Sequence, residues 1–85
     1  MAEVVIYTSA FCGYCARAKR LLREKGVDYQ EIGVDMNPDL RAEMQQKARG
    51  AYTVPQIFIN GTHVGGCDEL HALDARGELD GMLVA

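Results

Sequence analysis

Eighty-five residues supply one domain with one core, and a partner molecule can bind only at the surface of that core. A formal net charge of −3 is the wrong sign for a nucleic-acid module this small, and 48% hydrophobic with 25% charged residues is a globular balance rather than a disordered one. No run approaches the roughly 20 apolar residues of a membrane span.

The opening Met1-Ala2-Glu3 carries an acid where a signal peptide carries positive charge, so the expected location is the cytoplasm. Val4-Val5-Ile6-Tyr7 then reads as a strand buried on both faces, because it is β-branched and lacks strict alternation. After Thr8-Ser9-Ala10-Phe11, a helical pattern opens at Cys12-Gly13-Tyr14-Cys15. Phe11, Cys15, Ala18 and Leu22 are spaced to share one face, and Gly26 supplies the left-handed stop. Val27 to Val34 reads as a second strand. Asn37-Pro38-Asp39 has the features of a helix start: a capping side chain, Pro at the first helical position and an early acid. Leu40, Met44 and Ala48 mark its buried face before Gly50 ends it.

Val54 to Ile59 reads as a third strand, and Asn60-Gly61 is a two-residue hairpin turn that folds Thr62-His63-Val64-Gly65 back antiparallel to it. Asp68 and Glu69 begin a helical stretch through Leu70, Leu73 and Ala75, which Gly77 breaks. Leu79, Met82 and Leu83 form a short final helix. The first half is a β–α–β unit with parallel strands and a right-handed connection. The second half is an antiparallel hairpin. An α/β fold follows, a mixed four-stranded sheet flanked by helices, as a single domain over residues 1–85.

Three cysteines are an odd number and a poor disulfide framework. Cys12 and Cys15, however, share a Cys-x-x-Cys motif at a strand-to-helix junction. A thiolate at Cys12 meets unpaired backbone N–H groups and the positive end of the helix dipole, both of which favour the charged form. Arg17 and Lys19 add positive charge nearby. Cys15, one turn on and facing the core, lies within disulfide reach. Cys12 is therefore the attacking sulfur and Cys15 the resolving one. The competing reading joins Cys12, Cys15, His63 and Cys67 as four zinc ligands. It is weaker, because His63-x-x-x-Cys67 is an unusual second pair and structural zinc sits on knuckles. Cys67 reads as a small buried residue, and His63 and His71 as surface residues.

The whole chain resembles a dithiol glutaredoxin. The resemblance is carried by Val4-Val5-Ile6-Tyr7-Thr8, Cys12-Gly13-Tyr14-Cys15, Thr53-Val54-Pro55-Gln56-Ile57-Phe58-Ile59 and Gly65-Gly66-Cys67-Asp68. Thioredoxins, by contrast, usually carry Trp-Cys-Gly-Pro-Cys. The resemblance implies a thioredoxin-like fold and a monomeric enzyme that uses glutathione as electron donor to reduce protein disulfides and glutathionylated proteins. It further implies that Tyr14 flanks the glutathione sulfur, that Thr53 and Val54 offer main-chain groups to the peptide, and that Pro55 is cis. Gly66, Cys67 and Asp68 then receive the γ-glutamyl end.

Two departures open alternatives. Gly13 stands where family members often have Pro, and members lacking that Pro include some that hold a [2Fe–2S] cluster between two protomers through the thiolate matched by Cys12. Ser9 stands where many members carry a Lys. This removes one donor to the glycine carboxylate, leaves Arg41 or Arg49 as substitutes, and admits reduction by thioredoxin reductase instead.

Overall fold

A computed structural model describes residues 2–84. Its order is β1 (Val4–Thr8), α1 (Gly13–Glu24), β2 (Gln30–Gly33), α2 (Pro38–Lys47), β3 (Gln56–Ile59), β4 (Thr62–Gly65), α3 (Cys67–Ala75) and α4 (Leu79–Leu83). The four strands form one sheet in the order β2-β1-β3-β4. β1 runs parallel to β2 and antiparallel to β3, and β3 is antiparallel to β4. This is the expected mixed sheet.

The central strand β1 is buried on both faces because each face has its own core. Val4 and Ile6 join Ala18, Leu22, Leu70 and Leu79 under α1, α3 and α4. Tyr7 joins Val34, Met44, Ala48 and Phe58 under α2. A run without alternation is what such a position requires.

Each break in the chain has a local cause. The side chain of Asn37 accepts the Leu40 N–H at 3.1 Å, and Pro38 occupies the first turn of α2. Asn60 and Gly61 both take positive φ, 51° and 79°. That is the pairing a two-residue hairpin turn needs to match strand twist. Gly26, at φ 73°, closes α1.

Three boundaries differ from expectation. The second strand begins at Gln30 rather than Val27, because the Val27 N–H is spent on Leu22 O at the end of α1 and pairing with β1 starts at Val5 and Gln30. The third strand begins at Gln56, with Val54 and Pro55 left outside the ladder. Phe11 does not share the buried face of α1: it precedes the helix, takes φ 58° and is fully exposed. Cys12 is the N-cap, and the residue before a cap follows the loop's geometry, not the 3.6-residue period.

Candidate active site

Because β1 and β2 are parallel and β3 runs the other way, the end of β1, the loop after β2 and the loop before β3 all meet at one edge of the sheet. Cys12 sits there. As N-cap of α1 its backbone is extended, and its sulfur faces the opening turn, accepting the Cys15 N–H at 3.1 Å. When protonated, the same sulfur donates to Val54 O at 3.8 Å. The sulfur thus lies between a donor that suits a thiolate and an acceptor that suits a thiol.

Cys15 is 1% exposed. Burial, and then the adjoining Cys12, push its thiol up to about 12. Two sulfurs one turn apart therefore differ in role by environment. Cys12 is reachable and held by an amide, whereas Cys15 remains a protonated thiol until Cys12 has reacted. Lys19 is not free to serve Cys12, since its ammonium pairs with Glu31 at 3.0 Å. The Thr8 hydroxyl, and then Lys19, hold the Glu31 carboxyl below its ordinary value. These groups, with Ser9, Phe11 and Asp35, line a cleft of about 770 Å³ that opens on both cysteines.

On the other flank, Tyr14, Thr53, Val54, Pro55, Gly66, Cys67 and Asp68 line a second cleft, of about 390 Å³. The Val54–Pro55 peptide bond is cis. Glu69 is a further lining residue that the sequence reading passed over. Its carboxylate accepts the Gly66 N–H at 2.7 Å, and the Gly66-x-x-Glu69 spacing of a capping box is the signal that could have found it. A side chain at Gly65 would collide with that carboxylate at 2.9 Å. Cys67 is buried, and burial raises its thiol.

The histidines need correction. Neither is a bare surface residue. His63 approaches Gln56 Oε1 at 2.6 Å and stacks on Phe58, and His71 Nδ1 lies 2.9 Å from Cys67 O. His63 is thus directed to Gln56 and not to the cysteines. Among the described residues no three His, Cys, Asp or Glu side chains gather as a metal site.

The family model for glutaredoxin matches residues 4–64. The chain belongs to the glutaredoxin family. It is 62% identical to a glutaredoxin of Pseudomonas aeruginosa over the full length of both chains. It is 57% identical to glutaredoxin 3 of Escherichia coli, covering 98% of this chain and 99% of that one. The structure of a buckwheat glutaredoxin–glutathione complex superposes with TM-score 0.88 at 37% identity, covering 98% of this chain and 77% of that chain. A solution structure of glutaredoxin from Brucella melitensis gives 0.85 at 54% identity, covering 98% and 89%. The fold of this glutaredoxin is thioredoxin-like, and its activity is thiol–disulfide oxidoreduction. Among the described residues no helix is long and apolar enough to cross a membrane.

Proposed function

We propose that the protein reduces glutathionylated proteins and protein disulfides in the cytoplasm, with glutathione as the electron donor. The observation that carries this is the placement of Cys12 beside the cleft lined by Tyr14, Thr53 to Pro55 and Gly66 to Glu69. The main chain before β3 offers an extended peptide a strand-like partner. Beyond Gly66, whose N–H is taken by Glu69, the opening N–H groups of α3 suit the carboxylate of a γ-glutamyl group, and Asp68 suits its amino group. The related buckwheat protein was solved with glutathione. With Ser9 in place of a lysine, Arg41 is the better placed of the two candidate bases, because its guanidinium already donates to Tyr52 O at 3.2 Å beside the cleft.

In the chemistry this supports, the Cys12 thiolate attacks a disulfide sulfur, forms a mixed disulfide and expels the partner's other sulfur as a thiolate, which takes a proton. With a protein partner, Cys15 gives up its proton and attacks the Cys12 sulfur, releasing the reduced partner and leaving a Cys12–Cys15 disulfide. Two glutathione molecules then supply two electrons, becoming glutathione disulfide. With a glutathionylated partner, a second glutathione resolves the mixed disulfide and Cys15 is not needed. A glutathione titration of the purified protein, followed by turnover with a glutathionylated peptide, tests the reading. Saturable binding and turnover are expected, and turnover supported only by thioredoxin reductase would replace glutathione as the donor.

A second reading, a [2Fe–2S] cluster shared by two copies, is favoured by Gly13, which opens α1 directly after Cys12 at the position where family members often have Pro. Within one copy Cys12 is the accessible thiol, while Cys15 and Cys67 are buried. A cluster would therefore need a second chain and glutathione thiols to complete its ligands. Anaerobic reconstitution with glutathione is expected to give a coloured dimer on this reading, and a colourless monomer removes it.

A further inference from the structure

Gln56 is one of two buried polar side chains among the described residues, at 4% exposure. An amide so placed destabilises the fold unless its polar atoms are partnered. Its Nε2 donates to Thr53 O at 2.9 Å and lies 3.4 Å from Thr53 Oγ1. Its Oε1 faces His63 Nε2 at 2.6 Å. The Thr53 carbonyl can only accept, so the NH₂ end must face Thr53. The oxygen must then face His63, whose Nε2 must carry the hydrogen. The His63 ring is held by Phe58, with ring centroids 5.0 Å apart and planes 30° from parallel.

The relay runs from strand β4, through the first residue of β3, into the loop that walls the cleft. That loop belongs to no ladder, and Thr53 is exposed at its tip. Among the described residues, the side-chain hydrogen bonds to residues 52–54 come from Arg41 to Tyr52 O, from Cys12 to Val54 O, and from the Gln56 amide, which holds the loop from within. The next residue, Val54, brings its carbonyl to 3.8 Å from the Cys12 sulfur.

We infer that Gln56, oriented by His63, is a positioning residue for the glutathione reaction. The His63–Gln56–Thr53 relay holds the main chain of Thr53 and Val54 beside Cys12, where the peptide of a glutathionyl group would pair with it. This inference rests on the glutathione reading above. Packing alone would use Gln56 as volume, whereas the relay requires both its polar ends.

The test uses the full chain and three variants, with steady-state turnover of a glutathionylated peptide, thermal melting, and the rate of Cys12 alkylation by iodoacetamide. Gln56→Leu keeps the volume and removes the amide. His63→Phe keeps the ring stack and removes the N–H, and His63→Gln returns a donor. The relay predicts a KM raised about fivefold to tenfold in Gln56→Leu and His63→Phe with kcat held within about twofold, as one lost hydrogen bond allows. His63→Gln should return KM toward that of the unaltered protein. The double variant Gln56→Leu/His63→Phe should be no worse than Gln56→Leu alone, since both cut one relay. Cys12 alkylation should not change. An unaltered KM in either folded variant, additive losses in the double variant, or a fall in kcat alone overturns the inference. Should Gln56→Leu not fold, the His63 pair decides it, because that ring is only half-buried. If turnover by the unaltered protein is supported by thioredoxin reductase and not by glutathione, the glutathione reading falls too, and that result is visible without any variant.

Discussion

The backbone N–H of Cys15 points at the sulfur of Cys12 from 3.1 Å, so the resolving residue holds the attacking one before any disulfide forms between them. The same turn of helix that brings this amide outward carries the Cys15 side chain into the core, where it is 1% exposed. One turn of α1 thus separates the two thiols chemically, and the first prediction concerns that separation.

Iodoacetamide at neutral pH should place a single adduct on the native protein, at Cys12. Burial raises the thiols of Cys15, to about 12, and of Cys67. An acid with a raised pKa stays protonated, so at neutral pH both remain thiols in the folded protein. Peptide mapping by mass spectrometry checks this, and an early adduct on Cys15 would contradict the assigned roles.

Cys12→Ser should abolish turnover with every disulfide substrate. Cys15→Ser should keep turnover of a glutathionylated peptide and lose reduction of a protein disulfide, because only the latter needs an internal resolving sulfur. Parallel assays of the two substrates decide it; equal losses in the two variants would sink the division of labour.

Asp68→Ala should raise KM for the glutathionylated peptide by about tenfold, the weight of one charge-assisted hydrogen bond. The melting temperature should hardly move, since Asp68 is exposed and Glu69, not Asp68, caps Gly66. Steady-state kinetics beside a thermal melt separates the two effects.

Leu22→Ala should lower stability by roughly 2–5 kcal/mol, the range for emptying a fully buried site, because Leu22 is 0% exposed beneath the sheet. Asn37→Ala should cost about 1 kcal/mol through loss of the α2 cap. Urea titrations of both should rank them in that order.

Glu31→Gln should flatten the acid limb of the stability curve. The Thr8 hydroxyl and Lys19 lower the folded-state pKa of Glu31 beneath its ordinary 4.5. Its contribution is therefore present above that value and is lost as pH falls through the lower folded one. With the Glu31 side chain 40% exposed, the effect should stay under about 1 kcal/mol. Urea midpoints measured between pH 3 and 7 test it, and parallel curves for the two proteins would rule it out.

Much of this protein was legible in its residues because the relevant forces act between near neighbours. Cys-x-x-Cys at a strand-to-helix junction, the Asn37-Pro38 helix start and the Asn60-Gly61 hairpin turn each depend on a handful of consecutive residues. Their backbone preferences decide the outcome whatever surrounds them. The order of those elements then settled the topology, since a β–α–β unit followed by a tight hairpin permits few sheets.

What depended on residues far apart in the chain was decided only by tertiary structure. The late starts of β2 and β3 follow from where β1 offers pairing partners, and the exposure of Phe11 follows from the loop geometry before the helix cap. Lys19 turned from Cys12 to Glu31 because β2 lies beside β1. His63 and Gln56 became partners across an antiparallel pair and joined Thr53 to that pair. Contacts of this kind are set by three-dimensional packing, and spacing along a single chain carries no term for them.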